Sequence, residues 1–349
     1  MKMKINIILP FTALTGGIRV VFLYSNYLVS QGHDVTCYVP MKAYKFNRNF
    51  LKVIKSSIAN TIKNNKKISW FNCKFRIKLV PIIHERYIRD ADITIATAWP
   101  TAKDLNKLSK KKGKKVYFIQ DYEIWSGKTI DVDNSYKLPL NRIVITKNLQ
   151  KLLKSKFSVN STLIYNGLIE NEFLLEEKKI NDKKTIMMLY NEAPNKGTKE
   201  GLDILWQIKQ KHDIRVILFG FKKSKLIPSE FEFYQNPSRE KLIDLYRQSD
   251  IYLFPSKHES WGLPVLEAMA NKCVVVGNNV GCLSEIAEHN HNAIIIENLD
   301  YDKMKKQIEI LINNESLIKN LQNNGYELAK KFKWNDSFIV MENYLKSLI

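Results

Sequence analysis

The sequence predicts an α/β protein built from two doubly wound parallel-sheet domains, and three observations carry that prediction. Short apolar, β-branched runs alternate with helical patterns along the chain, which is the signature of parallel strands covered on both faces. The alternation lapses once and restarts after Thr185. The 349 residues suffice for two domains of about 150 residues each.

In chain order, "KINIILP" reads as the first strand, "IRVVFLYSNYLVSQG" as the helix after it and "DVTCYV" as the next strand. "DITIAT", "KVYFIQ" and "RIVIT" continue the first sheet. The polar stretch "LIENEFLLEEKKINDKK" has no sustained strand pattern, so residues 168–184 read as the linker. "TIMMLY", "IRVILFG", "IYLFPS", "CVVVG" and "AIII" then supply a second sheet. The expected division is 1–167, 185–332 and a closing segment 333–349, with a cleft between the two domains at the carboxyl ends of their strands, where such sheets bind ligands. No solenoid repeat or long low-complexity tract interrupts this order.

The composition is that of a globular protein, 45% hydrophobic and 26% charged. The longest apolar runs are strand-sized, far short of the roughly 20 residues that span a bilayer. "MKMKINIILPF" ends in Pro and lacks a small-residue cleavage site, so it reads as a strand and not as a signal peptide. Cys37, Cys73, Cys273 and Cys282 form no CxxC pair and no zinc spacing, which points to reduced core thiols in a cytoplasmic protein. No His, Asp or Glu cluster has metal-ligand spacing, and neither a metal nor a separate cofactor is expected.

The net charge of +20 fits nucleic acid, an anionic membrane or a phosphorylated small molecule. Its distribution separates these. Val35 to His84 contains no Asp or Glu, and "SKKKGKK" adds a second basic cluster at 109–115. Part of the excess also follows from a Lys-, Asn- and Ile-rich composition. No aromatic-interleaved basic motif of an RNA-binding kind is present, so nucleic acid is not expected as a partner. Within the acid-free span, Leu51, Ile54, Ile58 and Ile62 recur at helical spacing, while Lys52, Lys55, Lys63 and Lys66 fall largely elsewhere around the turn. An amphipathic basic helix of this kind lies in an anionic membrane surface. The same stripe also suits packing on the first sheet with solvated lysines.

Two local patterns carry chemistry. "TALTGGIRVV" places Gly16 and Gly17 between a strand and a helix, where the backbone can approach an anion at the helix N-terminus; a plain turn reads the same way. "PSKHESWGLPVLE" spaces Glu259 and Glu267 eight residues apart around a Gly-Leu-Pro. On one continuous helix they would be offset by roughly 80°. Pro264, however, belongs in the first turn of a helix. Glu259 is therefore expected on a loop and Glu267 in the opening helical turn, with a helix N-terminus between them.

The segment "DIYLFPSKHESWGLPVLEAMANKCVVVGNNVGCLSEI" closely resembles the donor-binding signature of the retaining GT-B glycosyltransferases, the family marked by Glu-x7-Glu. A strand ends in Pro-Ser, then come an acid, a Gly-x-Pro turn, a Glu-Ala-Met helix, a buried strand and a second turn before Glu-Ile. "IYNGLIENEF" resembles the segment leading into the family's linker, and "FKWNDSFIVMENYLKSLI" its last helix, which returns to the first domain. The resemblance implies the GT-B fold, two Rossmann-like domains facing a central cleft. It also implies that Glu267 holds the ribose of a nucleotide sugar and Glu259 the hydroxyls of the transferred sugar. The N–H groups of Trp261, Gly262 and Leu263, with Ser260 in the same turn, would meet the diphosphate or sugar. Carboxylates suit these tasks because each oxygen accepts charge-assisted hydrogen bonds.

The resemblance further implies a cation for the leaving diphosphate. Lys196 of "NKG" matches the family's Lys, but Tyr190 or Asn191 occupies the place of its Arg. Either Arg19 or another basic residue substitutes, or the leaving group is less stabilised. Asn236 and Pro237 of "FYQNPS" stand where relatives cradle the base, and Gly16 and Gly17 join the donor site. Where relatives carry a His near the reacting carbon, this chain has Gln120 and Asp121. Trp99, Asp121 and Tyr122 are the acceptor-side candidates, with Trp125 beside them.

The expected function is transfer of a hexose from a nucleotide diphosphate sugar to a glycan or lipid-linked acceptor in bacterial surface-glycan synthesis, with Lys196 and Glu259 catalytic. The expected location is the cytoplasm, peripheral on the inner leaflet of the membrane. A non-catalytic GT-B partner subunit is the alternative raised by the missing Arg.

Overall fold

The computed structural model describes residues 1–46, 55, 57, 68, 70–178 and 183–349. The chain forms two compact units, Met1–Tyr165 with Asp336–Ile349, and Asn166–Asn335. The helix expected from Leu51 onward lies outside the described residues apart from Lys55 and Ser57.

The first unit holds a seven-stranded sheet. Its strands are β1 (Lys4–Ile8), β2 (Asp34–Pro40), β3 (Arg76–Val80), β4 (Ile93–Ala96), β5 (Lys114–Ile119), β6 (Asn141–Val144) and β7 (Thr162–Leu163). The order is β3-β2-β1-β4-β5-β6-β7, every pair parallel. Ile5 lies opposite Val35 on one side and Ile93 on the other, and all three are buried. Helices α1 (Gly16–Ser30), α2 (Trp99–Lys107), α3 (Thr129–Tyr136) and α4 (Lys147–Phe157) follow β1, β4, β5 and β6 respectively. Thr15 starts α1 by accepting a hydrogen bond from Ile18 N at 3.3 Å, and Gly16 follows it as the first helical residue.

The second unit repeats the plan with six parallel strands. These are β8 (Thr185–Tyr190), β9 (Arg215–Gly220), β10 (Glu232–Gln235), β11 (Ile251–Phe254), β12 (Val274–Asn278) and β13 (Ile294–Ile296), in the order β10-β9-β8-β11-β12-β13. The helices are α5 (Thr198–Lys211), α6 (Arg239–Arg247), α7 (Leu263–Ala270), α8 (Leu283–Ile286), α9 (Tyr301–Ile312) and α10 (Glu315–Ala329). Ile186, Leu218, Leu253 and Val276 from four strands share one core with Leu205, Met304, Ile308 and Leu321 from the helices. In both sheets the order reverses beside the first strand of the unit, between β1 and β4 and between β8 and β11. Crevices for ligands form at such switch points.

The last helix, α11 (Trp334–Ser347), starts in the second unit and runs its length in the first. Phe338 stacks on Tyr27 at 4.8 Å. Glu342 accepts a hydrogen bond from the Tyr27 hydroxyl at 2.9 Å and lies 3.2 Å from His33 Nε2. His33 Nδ1 accepts from Met3 N, so Nε2 carries the proton and donates to Glu342. His33, a helix-to-strand turn residue in the sequence, thus anchors the returning helix.

Candidate functional site

The chain leaves β8 through a single turn, Pro194–Lys196, and Gly197 takes the left-handed conformation at φ +62° before α5 begins. A Cβ on Gly197 would fall 2.0 Å from the carbonyl oxygen of Pro255, so the backbone approach there requires glycine. The turn is fastened to the segment after β11. Lys257 N donates to Asn195 O at 2.8 Å and Asn195 Nδ2 to His258 O at 3.3 Å. From the other side, Asn278 Nδ2 donates to the carbonyls of Pro255 and Ser256 at 3.0 and 3.1 Å. These contacts bring Lys196 and Glu259 together as an ion pair, each side chain about four-fifths buried.

Gly262 caps α7 at φ +86°, with Pro264 in the first turn. The loop placement of Glu259 agrees with the sequence. Glu267 does not stand in the opening turn: it is the fifth residue of α7, because the helix starts at Leu263. Ser260 is half-buried and Gly262 buried. The Trp261 indole is 2% exposed and packs edge-on against Phe332, leaving backbone as what this residue can offer a ligand. Trp261 O accepts from Cys282 N at 2.6 Å. Gly281, at φ +60°, fits against that carbonyl, where a Cβ would approach to 2.7 Å. The Leu263 N–H opens the helix, and N–H groups there have no intrahelical acceptor.

Glu267 is held from two sides. Arg239 Nη1 lies 2.8 Å from Oε1, and the Tyr246 hydroxyl donates to Oε2 at 3.1 Å. Arg239 also grips Glu172, with Nε and Nη2 at 2.7 and 2.6 Å from its Oε1. Glu172 is almost wholly buried. Burial, followed by the charges of Glu267 and then Glu259, pushes the Tyr252 hydroxyl well above its ordinary range, so both carboxylates act on one buried phenol of β11. Asn236, at φ +47°, donates its N–H to Gly220 O at 2.7 Å. With Pro237 it leads into α6, where Ser238 caps and Arg239 is the first helical residue.

In the first unit, Gly17, Trp99, Asp121 and Tyr122 gather at the carboxyl ends of β1, β4 and β5, beside that sheet's switch point. Gln120 Nε2 donates to Gly17 O at 3.2 Å. Gly16 has open space where a side chain would stand. Asp121 accepts from Tyr122 N at 2.8 Å and from the indole of the exposed Trp125 at 2.9 Å. The Tyr122 hydroxyl donates to Asp133 at 2.8 Å, and Lys156 Nζ sits 4.9 Å over its ring. Trp99 N donates to Glu123 Oε2 at 2.7 Å, and its indole to Ser126 at 3.0 Å. Burial pushes the Glu123 carboxyl up to about 8, against the opposing pull of hydrogen bonds from Trp99 N and Tyr117. Among the described residues, no group of three His, Cys, Asp or Glu is placed to hold a metal ion, and no helix is long and apolar enough to cross a membrane.

Residues 170–328 match the family described as "Glycosyl transferases group 1". The matched span takes in most of the second unit. An uncharacterized glycosyltransferase of Methanocaldococcus jannaschii is 29% identical over 201 residues, 55% of each chain. The N,N'-diacetylbacillosaminyl-diphospho-undecaprenol alpha-1,3-N-acetylgalactosaminyltransferase of Campylobacter jejuni is 24% identical over 284 residues, covering 79% of this chain and 71% of that one. The chain thus spans about half the length of the first of these relatives. Among solved structures, Anabaena HepE in complex with UDP-glucose superposes with a TM-score of 0.76 at 14% identity, over 99% of this chain and 100% of that one. Two parallel-sheet Rossmann-like domains, one carrying the returning helix, make this the GT-B fold.

Every second-unit candidate lies inside the span matched to the group 1 glycosyl transferases. Arg239, Glu172 and Tyr246 were not singled out in the sequence. One signal was there: Arg239 opens a helix, where a cation opposes the macrodipole. A local rule broken in this way asks for a carboxylate partner. Its two partners come from segments distant in sequence, which a local pattern cannot supply.

Proposed function

We propose that the chain is a retaining glycosyltransferase that moves a hexose from a nucleoside diphosphate sugar to an acceptor hydroxyl in the synthesis of a bacterial surface glycan or its lipid-linked precursor. The observation that carries this reading is the Lys196–Glu259 ion pair at the β8/β11 switch point. A cation and a carboxylate at strand ends are what a diphosphate and a sugar ring require of one site. Glu267 takes the ribose, Asn236 and Pro237 the base, and the start of α7 with Ser260, Trp261, Gly262 and Leu263 the diphosphate and sugar. In the first unit, Gly16 and Gly17 are the donor-side candidates, and Trp99, Asp121 and Tyr122 the acceptor-side ones.

On binding, Lys196 exchanges Glu259 for the diphosphate, and Glu259 accepts hydrogen bonds from sugar hydroxyls. In the transfer, the bond from the anomeric carbon to the phosphate oxygen breaks while the acceptor oxygen bonds that carbon on the same face. The acceptor proton passes to the departing nucleoside diphosphate. Charge grows on the leaving phosphate, and Lys196 with the α7 N-terminus stabilises it. UDP-glucose in the HepE structure and the undecaprenol-linked acceptor named for the Campylobacter relative support the substrate classes. The test is turnover: purified protein with UDP-, GDP- and dTDP-hexoses and a polyprenyl-diphosphate sugar acceptor releases the nucleoside diphosphate. Release from none of them contradicts the reading.

One observation favours a second reading, a non-catalytic partner subunit. Tyr190 or Asn191 stands at the place of the family's Arg, and neither is a cation; Tyr190 is buried against Phe233 and donates to Glu192 at 3.1 Å. Nucleotide binding without turnover in any donor and acceptor combination would favour that reading. The basic first half adds a docking role on an anionic inner leaflet, read by co-sedimentation with anionic vesicles at low salt. Equal recovery with neutral vesicles would remove it.

A further inference from the structure

Glu267 is the carboxylate that the donor reading gives to the ribose, yet it is not a free acceptor. Its side chain is 7% exposed. A carboxylate oxygen accepts about two hydrogen bonds, and here one position on each oxygen is already filled. Arg239 Nη1 takes Oε1 at 2.8 Å and the Tyr246 hydroxyl takes Oε2 at 3.1 Å. The other charged and titratable groups around it are Glu172 from the segment before β8, which shares the same guanidinium, and Tyr252 from β11. Asn271 Nδ2 ties the main chain at both acids, donating to Glu172 O at 2.9 Å and Glu267 O at 2.8 Å. Two buried carboxylates therefore share the Arg239 guanidinium, and Arg239 stands at the first helical position after Asn236-Pro237-Ser238.

We infer that Arg239 is the positioning residue of the nucleotide half of the site. It bridges Glu172 and Glu267 so that the Glu267 carboxylate keeps one orientation and one acceptor position per oxygen for the vicinal hydroxyls of a ribose. The inference rests on the donor reading of Glu267 and extends it. Because Arg239 stands two residues after Pro237, one of the residues proposed to meet the base, it couples the start of α6 to recognition of the sugar. Selection for ribose over deoxyribose is the property it controls. A buried carboxylate stripped of its cation neutralises itself by taking up a proton. A protonated Glu267 accepts hydroxyl hydrogen bonds poorly.

The experiment is calorimetric titration of the full-length chain with UDP, GDP and their 2'-deoxy counterparts, at about pH 5.5 and about pH 8, a range that brackets an unpaired buried carboxyl. Wild type is expected to prefer the ribonucleotide by about tenfold or more, as a lost charged hydrogen bond implies, with an affinity that is flat over this range. Arg239→Met is expected to lose most of that preference, and its remaining affinity should rise with pH as Glu267 gives up its proton. Arg239→Lys should recover the flat profile but only part of the preference, because an ammonium does not span two carboxylates as the fork does. Glu172→Gln should keep both, since Arg239 is then left to Glu267. If Arg239→Met does not fold, the Arg239→Lys and Glu172→Gln pair decides: equal ribose preference in both overturns the inference. A folded Arg239→Met with the wild-type preference and a flat profile overturns it as well, leaving Arg239 a structural ion pair. Failure of wild type to bind any of the four probes instead removes the donor reading on which the inference stands.

Discussion

Lys196 and Glu259 form an ion pair across the two strands, β8 and β11, between which the second sheet reverses its order. The pair is sixty-three residues apart in sequence and is held by backbone hydrogen bonds from Lys257 and His258 to Asn195 O, not by the charges alone. The loops that carry both residues are therefore held by backbone bonds as well as by the pair. On the proposed reading, a ligand can separate the two side chains without unfolding those loops.

Lys196→Ala is expected to reduce turnover by roughly a hundredfold or more, since a cation aimed at developing phosphate charge is worth about 3 kcal/mol. Lys196→Arg should restore only part of the rate, because a planar fork does not superimpose on an ammonium. Steady-state kinetics on both variants is the check. Near-wild-type turnover in Lys196→Ala would mean that another cation carries the diphosphate.

On the proposed reading the two acids divide the donor between them. Glu267→Ala should weaken binding of the bare nucleoside diphosphate by about 1.5–3 kcal/mol, the range for a lost charged hydrogen bond. Glu259→Ala should leave that binding intact and damage turnover of the sugar donor. Calorimetry with the bare diphosphate compares them, and equal losses in both variants would contradict the division.

Much of this was legible in the sequence because it is local. The central strands are apolar runs such as "TIMMLY" and "CVVVG", buried on both faces, and Gly262 with Pro264 marks the start of α7. Strands β3, β7 and β10 were not read: these edge strands consist mostly of half-buried or exposed residues, and β3 and β10 carry charges such as Arg76 and Glu232. The Glu-x7-Glu spacing located both carboxylates, but the ion pair on each of them comes from another element. Neither Lys196 against Glu259 nor Arg239 between Glu172 and Glu267 follows from spacing, because both depend on how strands are ordered in the sheet.

Gly197 offers a test of the loop geometry. At φ +62°, with Pro255 O only 2.0 Å from where a Cβ would stand, Gly197→Ala should cost more than about 1 kcal/mol of stability. Its lowered thermal midpoint should come with a loss of turnover, since Lys196 is the preceding residue. Unchanged stability would show that the turn and the segment after β11 are not in close contact.

Glu123 sets a pH dependence in the first unit. Its carboxyl, raised by burial to about 8 from an ordinary 4.5, binds its proton more tightly in the folded chain than in the unfolded one. The contribution is therefore fully present below the unfolded value and is lost as pH rises through the folded value. Thermal unfolding of Glu123→Gln against wild type should show the variant gaining stability relative to wild type as pH rises from 4.5 to about 8. A constant difference between the two proteins would place the proton elsewhere.

The central claim, a nucleoside diphosphate sugar bound at the carboxyl end of the second sheet, is tested most directly by thermal shift of wild type and Glu267→Ala with uridine, guanosine and thymidine diphosphates and their hexose conjugates. A ligand that binds only the native state at about 100 times its Kd adds about 2.7 kcal/mol of stability. The account predicts that the ligands of one base raise the unfolding temperature of wild type and do so much less in Glu267→Ala. No shift with any of them, or the same shift in both proteins, would contradict it.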